Sequence, residues 1–138
     1  MGDNRAAMDK FMKAFEKGDV ESFSEAIDAT AGEDFVEEWP QSGERIRGKA
    51  TVKRINEGYS AATGTAPKMK LRRVTGEGDV QVVEATIDYG DGTPVSYVGI
   101  AEFKNGKLSK ITEYFASPFE APAWRADFVE RMEPAGVG

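Results

Sequence analysis

The chemistry open to this sequence rests on carboxylates. Histidine and cysteine are both absent from its 138 residues. Imidazole-assisted hydrolysis, histidine-based zinc sites and thiolate nucleophiles are thereby excluded, and acid–base work falls to carboxylates, tyrosines or lysines. Two stretches set acids among large apolar side chains. In "FVEEWPQSGERIRG", Phe35 to Gly48, Glu37 and Glu38 stand directly before Trp39, and in "KITEYFA" Glu113 lies between Ile111 and Phe115 on one face of a strand. Because side chains alternate along a strand, Val36 goes with Glu38 and Phe35 with Glu37. With Val36 turned inward, Glu38 is the acid in a cavity, Glu37 the one in solvent, and Trp39 a wall or lid at the mouth. Glu38 and Glu113 across an apolar pocket are pushed apart in pKa by desolvation and mutual repulsion, so that one accepts a proton while the other donates. Plainer readings stand beside this one. Glu38 suits an ion pair with Arg45 or Arg47, and Glu113 one with Arg73 or Arg54.

The elements that must position these acids follow from periodicity. "DNRAAMDKFMKAFEKGD" sets Met8, Phe11, Met12 and Phe15 on one helical face, with Asp3 or Asn4 to cap it and Gly18 to end it. Asp19 caps a second helix carrying Val20, Phe23 and Ile27. "DFVEEW" is a strand that Pro40 stops, and "KATVKRINEGYSAA" is a third helix after Gly48. From Met69 to Phe115 four strands rich in β-branched and aromatic residues alternate with Gly-Glu-Gly, Gly-Asp-Gly and Asn-Gly turns, an antiparallel meander. Val83, Ala85, Ile87 and Tyr89 share one of its faces with Tyr97, Gly99, Ala101 and Phe103. Trp124 and Phe128 suggest a short C-terminal helix, ending at Pro134, that lays aromatics over the sheet.

The predicted fold class is α+β, a cone of three N-terminal helices packed on a strongly bent, mostly antiparallel sheet, with a short C-terminal covering helix. Residues 1–138 form one domain, since a chain of this length buries a sufficient core without staples. The expected ligand site combines Glu38 and Glu113 with Phe11, Trp39, Tyr59, Tyr89, Tyr97, Phe115 and Trp124. Hydrophobic residues at 40% and charged residues at 30% mark a globular chain, and the net charge of −6 argues against nucleic acid or an anionic membrane surface as partner. No apolar run has the length of a membrane span or a signal peptide. The absence of cysteine suits a cytoplasmic location. The glycine-rich "GEGD" and "YGDGT" segments are turns without a following helix and carry acids that repel phosphate, so they are not phosphate loops, and Asp88 to Gly92 lacks the terminal bidentate glutamate of a calcium loop.

The Gly-Asp after helix one, "ERIRG" before helix three, "FKNGKL" and the terminal "TEYFA" resemble the nuclear transport factor 2-like superfamily, in its SnoaL-like and ketosteroid-isomerase-like branch. The likeness spans nearly the whole chain. It implies a cofactor-independent acid–base enzyme of isomerase, cyclase, dehydratase or hydrolase type, with no metal, acting on a small apolar molecule. It equally implies the alternative of a non-catalytic ligand-binding or dimeric interaction domain. By this resemblance Glu38 stands where ketosteroid isomerases carry their base, while Phe11 and Gly99 replace their oxyanion-hole tyrosine and acid. Glu113 matches the acid on the last strand of limonene-type epoxide hydrolases, whose further arginine and aspartate fall on Ala85 and Ile87. A homodimer is also implied, through an outer sheet face bearing Val82, Val98 and Ile100.

Overall fold

A computed structural model of the chain describes residues 2–132, without the side chains of residues 2, 3 and 60. Two helices open it, α1 (Gly2–Lys17) and α2 (Val20–Thr30), followed by β1 (Ala31–Trp39), β2 (Glu44–Arg47) and α3 (Lys49–Thr63). The meander comprises β3 (Lys68–Thr75), β4 (Val80–Asp88), β5 (Val95–Lys104) and β6 (Lys107–Ala116), and a short 3-10 helix spans Ala123–Phe128. All strands join one sheet in the order β2-β1-β6-β5-β4-β3. Every neighbouring pair is antiparallel except β1 with β6, which runs parallel. The architecture is the α+β arrangement expected: N-terminal helices against a curved sheet.

Local chemistry accounts for most boundaries. Asp19 caps α2 by accepting a hydrogen bond from Ser22 N at 2.6 Å. The α1–α2 corner turns at Gly18, whose φ is +79° and whose carbonyl receives Met69 N at 2.7 Å; a Cβ there would lie 2.8 Å from Met69 O. Asn105 and Gly106, both at positive φ, form the two-residue hairpin between β5 and β6. Asn4 is not a cap. Helix α1 already includes it, and its buried amide donates to Gly78 O and Asp79 Oδ1, each at 3.0 Å, tying the helix to the β3–β4 turn. The side chain of Asp3 and the expected stop at Pro134 lie outside the described residues.

Two elements differ from expectation. The stretch read as a lead into α3 is a strand, β2, paired to β1 from Val36↔Arg47 to Trp39↔Glu44. Its short, charged sequence carries no period-two signal strong enough to reveal it. The C-terminal 3-10 helix is present, but Trp124 and Phe128 are 76% and 82% exposed and cover nothing on the sheet.

The core fills the narrow end of the cone. Phe11, Phe15 and Phe23 pack edge to face, with ring centroids 5.7 and 5.4 Å apart, over inward residues of the meander such as Val83, Ala101 and Ile111. On β1 the buried side chain is Phe35, at 1% exposure, while Val36 is half-buried. The alternation of the strand is therefore the reverse of the expected one, because turning Phe35 inward removes more apolar surface from water than turning Val36 inward. Replacing Phe35 by alanine should cost about 3–5 kcal/mol in urea unfolding, and Val36→Ala no more than about 1 kcal/mol. Equal losses at the two positions would contradict this inward face.

Candidate active site

The reversed alternation decides which acid enters the cone. Glu37 is 2% exposed and follows Phe35 inward; Glu38 points to the outer face. Glu38 there bonds Arg45 Nε at 2.6 Å and Lys110 Nζ at 2.8 Å. Its carboxyl is held below the usual range, first by the Lys110 hydrogen bond and then by that of Arg45. The expectation that Glu38 lies in the cavity is corrected: it is the surface ion pair that the plainer reading described, and Glu37 occupies the interior.

Glu113 is buried at 4% exposure, as its face with Ile111 predicts. The parallel register sets Glu37 opposite Ile111, so that Glu113 lies one step along the same face. The two carboxyls are hydrogen-bonded to each other. Glu113 also receives Trp39 Nε1 on Oε1 at 2.9 Å and the Tyr97 hydroxyl on Oε2. Neither arginine considered as its partner reaches it. Arg73 bonds Glu84 on the outside at 2.6 Å, and Arg72 and Arg54 are exposed.

Burial and the neighbouring Glu113 carboxyl push the Glu37 carboxyl up to about 10. Glu113 is also raised by burial, but its hydrogen bonds from Tyr97, Trp39 and Glu37 oppose the shift. Two carboxyls in contact in an apolar interior cannot both ionise. The donors converge on Glu113, so the single negative charge resides there and Glu37 carries the shared proton. Burial first, and then the Glu113 charge, raise the Tyr97 phenol well above its ordinary value.

The pair forms the floor of a cavity of about 400 Å³. Trp39, Tyr59, Tyr89, Tyr97 and Phe115 line it as expected, together with Met69 and Ile87. Trp39 and Tyr97 both pack edge-on against Phe115, with centroids 6.5 and 5.4 Å away. Tyr59 and Tyr89 meet at 6.2 Å on another part of the wall, where burial, then Tyr59 and Glu113, push the Tyr89 phenol up to about 12. The turn after β1 is pinned to β6 by Gln41, whose Oε1 accepts Phe115 N at 2.6 Å. No lysine or arginine is among the described lining residues.

Two expected members fall elsewhere. Phe11 is buried against Phe23 at the narrow end and borders only a small internal void, while exposed Trp124 stands apart from the cavity. Glu37 and Gln41 were missed. The larger apolar area of Phe35 was the available signal for Glu37, whereas Gln41 enters through a turn that periodicity does not describe. Among the described residues no group of three or more acidic side chains is arranged to hold a metal ion.

The SnoaL-like domain family matches residues 8–114. An NTF2-like protein of unknown function from Burkholderia xenovorans LB400 is 34% identical with TM-score 0.72, over 96% of this chain and 97% of that one. A candidate ketosteroid isomerase from Kribbella flavida DSM 17836 is 26% identical with TM-score 0.77, over 98% and 93%. An LEH-like epoxide hydrolase from M. tuberculosis shares the fold at 21% identity and TM-score 0.60, over 83% of this chain and 84% of that one. Among curated proteins no significant match is found.

The raised carboxyl of Glu37 has a thermodynamic consequence. Between its ordinary pKa near 4.5 and its folded value of about 10, the folded state holds a proton that the unfolded state releases. The contribution is fully favourable below the lower value and is lost as pH rises, by up to about 1.4 kcal/mol per pH unit. Glu37→Gln should therefore lose less stability than the wild type as pH is raised from about 5 to about 9 in urea titrations. Parallel stability–pH curves would show that Glu37 is not held protonated.

Proposed function

Because the chain belongs to the SnoaL-like domain family, whose fold hosts proteins described as isomerases, cyclases and epoxide hydrolases, we propose that it is a cofactor-independent acid–base enzyme. The observation that carries this reading is the pair of hydrogen-bonded carboxyls, Glu37 and Glu113, sharing one proton at the floor of an aromatic-walled cavity. Glu113 as carboxylate accepts a proton from the substrate while protonated Glu37 delivers one to another substrate atom, which leaves the pair's total charge unchanged. A tautomerisation or a ring closure of isomerase or cyclase type meets that balance without an outside reagent.

The substrate that fits is small, largely apolar and uncharged. Its apolar body replaces water against the aromatic walls, and a ligand carboxylate would face Glu113 without a lysine or arginine to offset it. Glu37 takes the place in the cavity first assigned to Glu38, but as the proton donor, and the base is Glu113. With ketones, enones and epoxides screened in deuterated water, product formation or deuterium uptake should fall at least about 100-fold in Glu37→Gln and Glu113→Gln and stay near wild type in Glu38→Gln. Undiminished turnover in both interior variants would defeat the proposal.

One observation favours the alternative of a non-catalytic binding domain: both oxygens of Glu113 already accept hydrogen bonds. That reading predicts ligands that raise the melting temperature by mass action yet are recovered unchanged. The proposal includes a cytoplasmic homodimer. Val82, Val98 and Ile100 are only half-buried on the outer sheet face, and Tyr114 there is 38% exposed, which leaves apolar surface for a second copy. Light scattering at micromolar concentration should give twice the chain mass of 15.0 kDa, and a monomer would refute the pairing.

A further inference from the structure

Tyr97 reaches Glu113 by an unusual route. Tyr97 and Gly99 both face the interior of β5, and the register sets Gly99, not Tyr97, opposite Glu113. The phenol therefore lies along the strand, over Gly99, to bring its hydroxyl to Glu113 Oε2. A Cβ placed on Gly99 would stand 2.5 Å from Tyr97 Oη and 3.0 Å from both Cε1 and Cζ. Gly99 has no positive φ to explain its choice, so backbone strain does not require glycine there. What the missing side chain supplies is the space that the phenol occupies.

We infer that Gly99 is a positioning residue for the carboxyl pair: its bare Cα is the seat on which Tyr97 lies to donate its hydrogen bond to Glu113. The inference rests on the acid–base reading of the site for its functional meaning, but not for its geometry. Any side chain at 99 displaces the ring, and Phe15 and Phe115, with centroids 6.3 and 5.4 Å from Tyr97, restrict where the ring can go. Glu113 would then keep Trp39 and Glu37 as donors and lose the phenol. The ionisable groups that face it are Glu37 from β1, Tyr97 from β5 and Tyr89 just past the end of β4, with Tyr59 of α3 behind Tyr89; among the described residues no cation lines the cavity to compensate. Losing one donor to its ionised form leaves burial less opposed, and the Glu113 carboxyl titrates at higher pH.

The test is a cycle of Gly99→Ala, Tyr97→Phe and the double variant, read by carbon NMR of the glutamate side-chain carboxyls across pH, with Glu113 assigned through Glu113→Gln. Gly99→Ala and Tyr97→Phe should raise the Glu113 midpoint by the same amount, and the double variant should match either single one. A wild-type titration in Gly99→Ala, or additive shifts in the double variant, would overturn the inference. Should Gly99→Ala fail to fold, Gly99→Ala combined with Tyr97→Leu should restore folding, because no phenol then needs the space. Failure of that pair as well would show that glycine serves another purpose and would equally overturn it. The titrations need no substrate, and turnover of the same variants is measured separately. A shifted titration with unchanged turnover would keep the seat and defeat the catalytic reading; an unshifted titration with lost turnover would do the reverse.

Discussion

Two carboxyl groups held together away from water cannot both be charged, and the interior of this protein is arranged around that constraint. Desolvation penalises each ionised form, and each charge penalises the other. Trp39, Tyr97 and Glu37 all direct hydrogen bonds at Glu113, which makes it the better place for the one charge. Glu37 then remains protonated as a donor. The pair is kept poised by geometry, since its members come from strands β1 and β6, whose parallel pairing fixes their separation along the sheet.

That arrangement has a cost in stability and, under the proposed function, a use in chemistry. A proton held by the folded state well above the ordinary carboxyl range makes the fold less favourable as pH rises. A core built for stability alone would be better served by apolar side chains of similar volume. The surrounding cavity explains the expense only if a ligand uses the pair, which is why the aromatic walls and the buried acids belong to one functional account. Function here follows from the site and not from the fold, because the same fold carries several unrelated reactions.

The supports of the site are ordinary packing devices. Phe11, Phe15 and Phe23 close the narrow end of the cone, so the cavity lies between the acids and the opening. Gln41 fastens the turn after β1 to β6, and this holds Trp39 near its carboxyl partner. Gly99 contributes by lacking a side chain. Outside the cone, Glu38 with Arg45 and Lys110, and Glu84 with Arg73, keep the remaining charges of these strands in solvent, where such pairs are weak but unburdened by desolvation.

The sequence by itself determined the order of elements apart from β2, the turns of the meander and the inward faces of β4, β5 and β6, because hairpin turns and strict alternation are local signals. It also determined that carboxylates must carry any proton chemistry, since no imidazole or thiol exists to do so. It did not determine the face of β1. In "DFVEEW" the apolar pair Phe35–Val36 and the acidic pair Glu37–Glu38 offer both alternations, and only packing against the helices selects Phe35 for the interior and Glu37 with it. The partners of Glu113 were likewise beyond local reach. Trp39 lies 74 positions away along the chain, and Tyr97 arrives by leaning over a glycine, a contact set by the bend of the sheet and the room around one Cα.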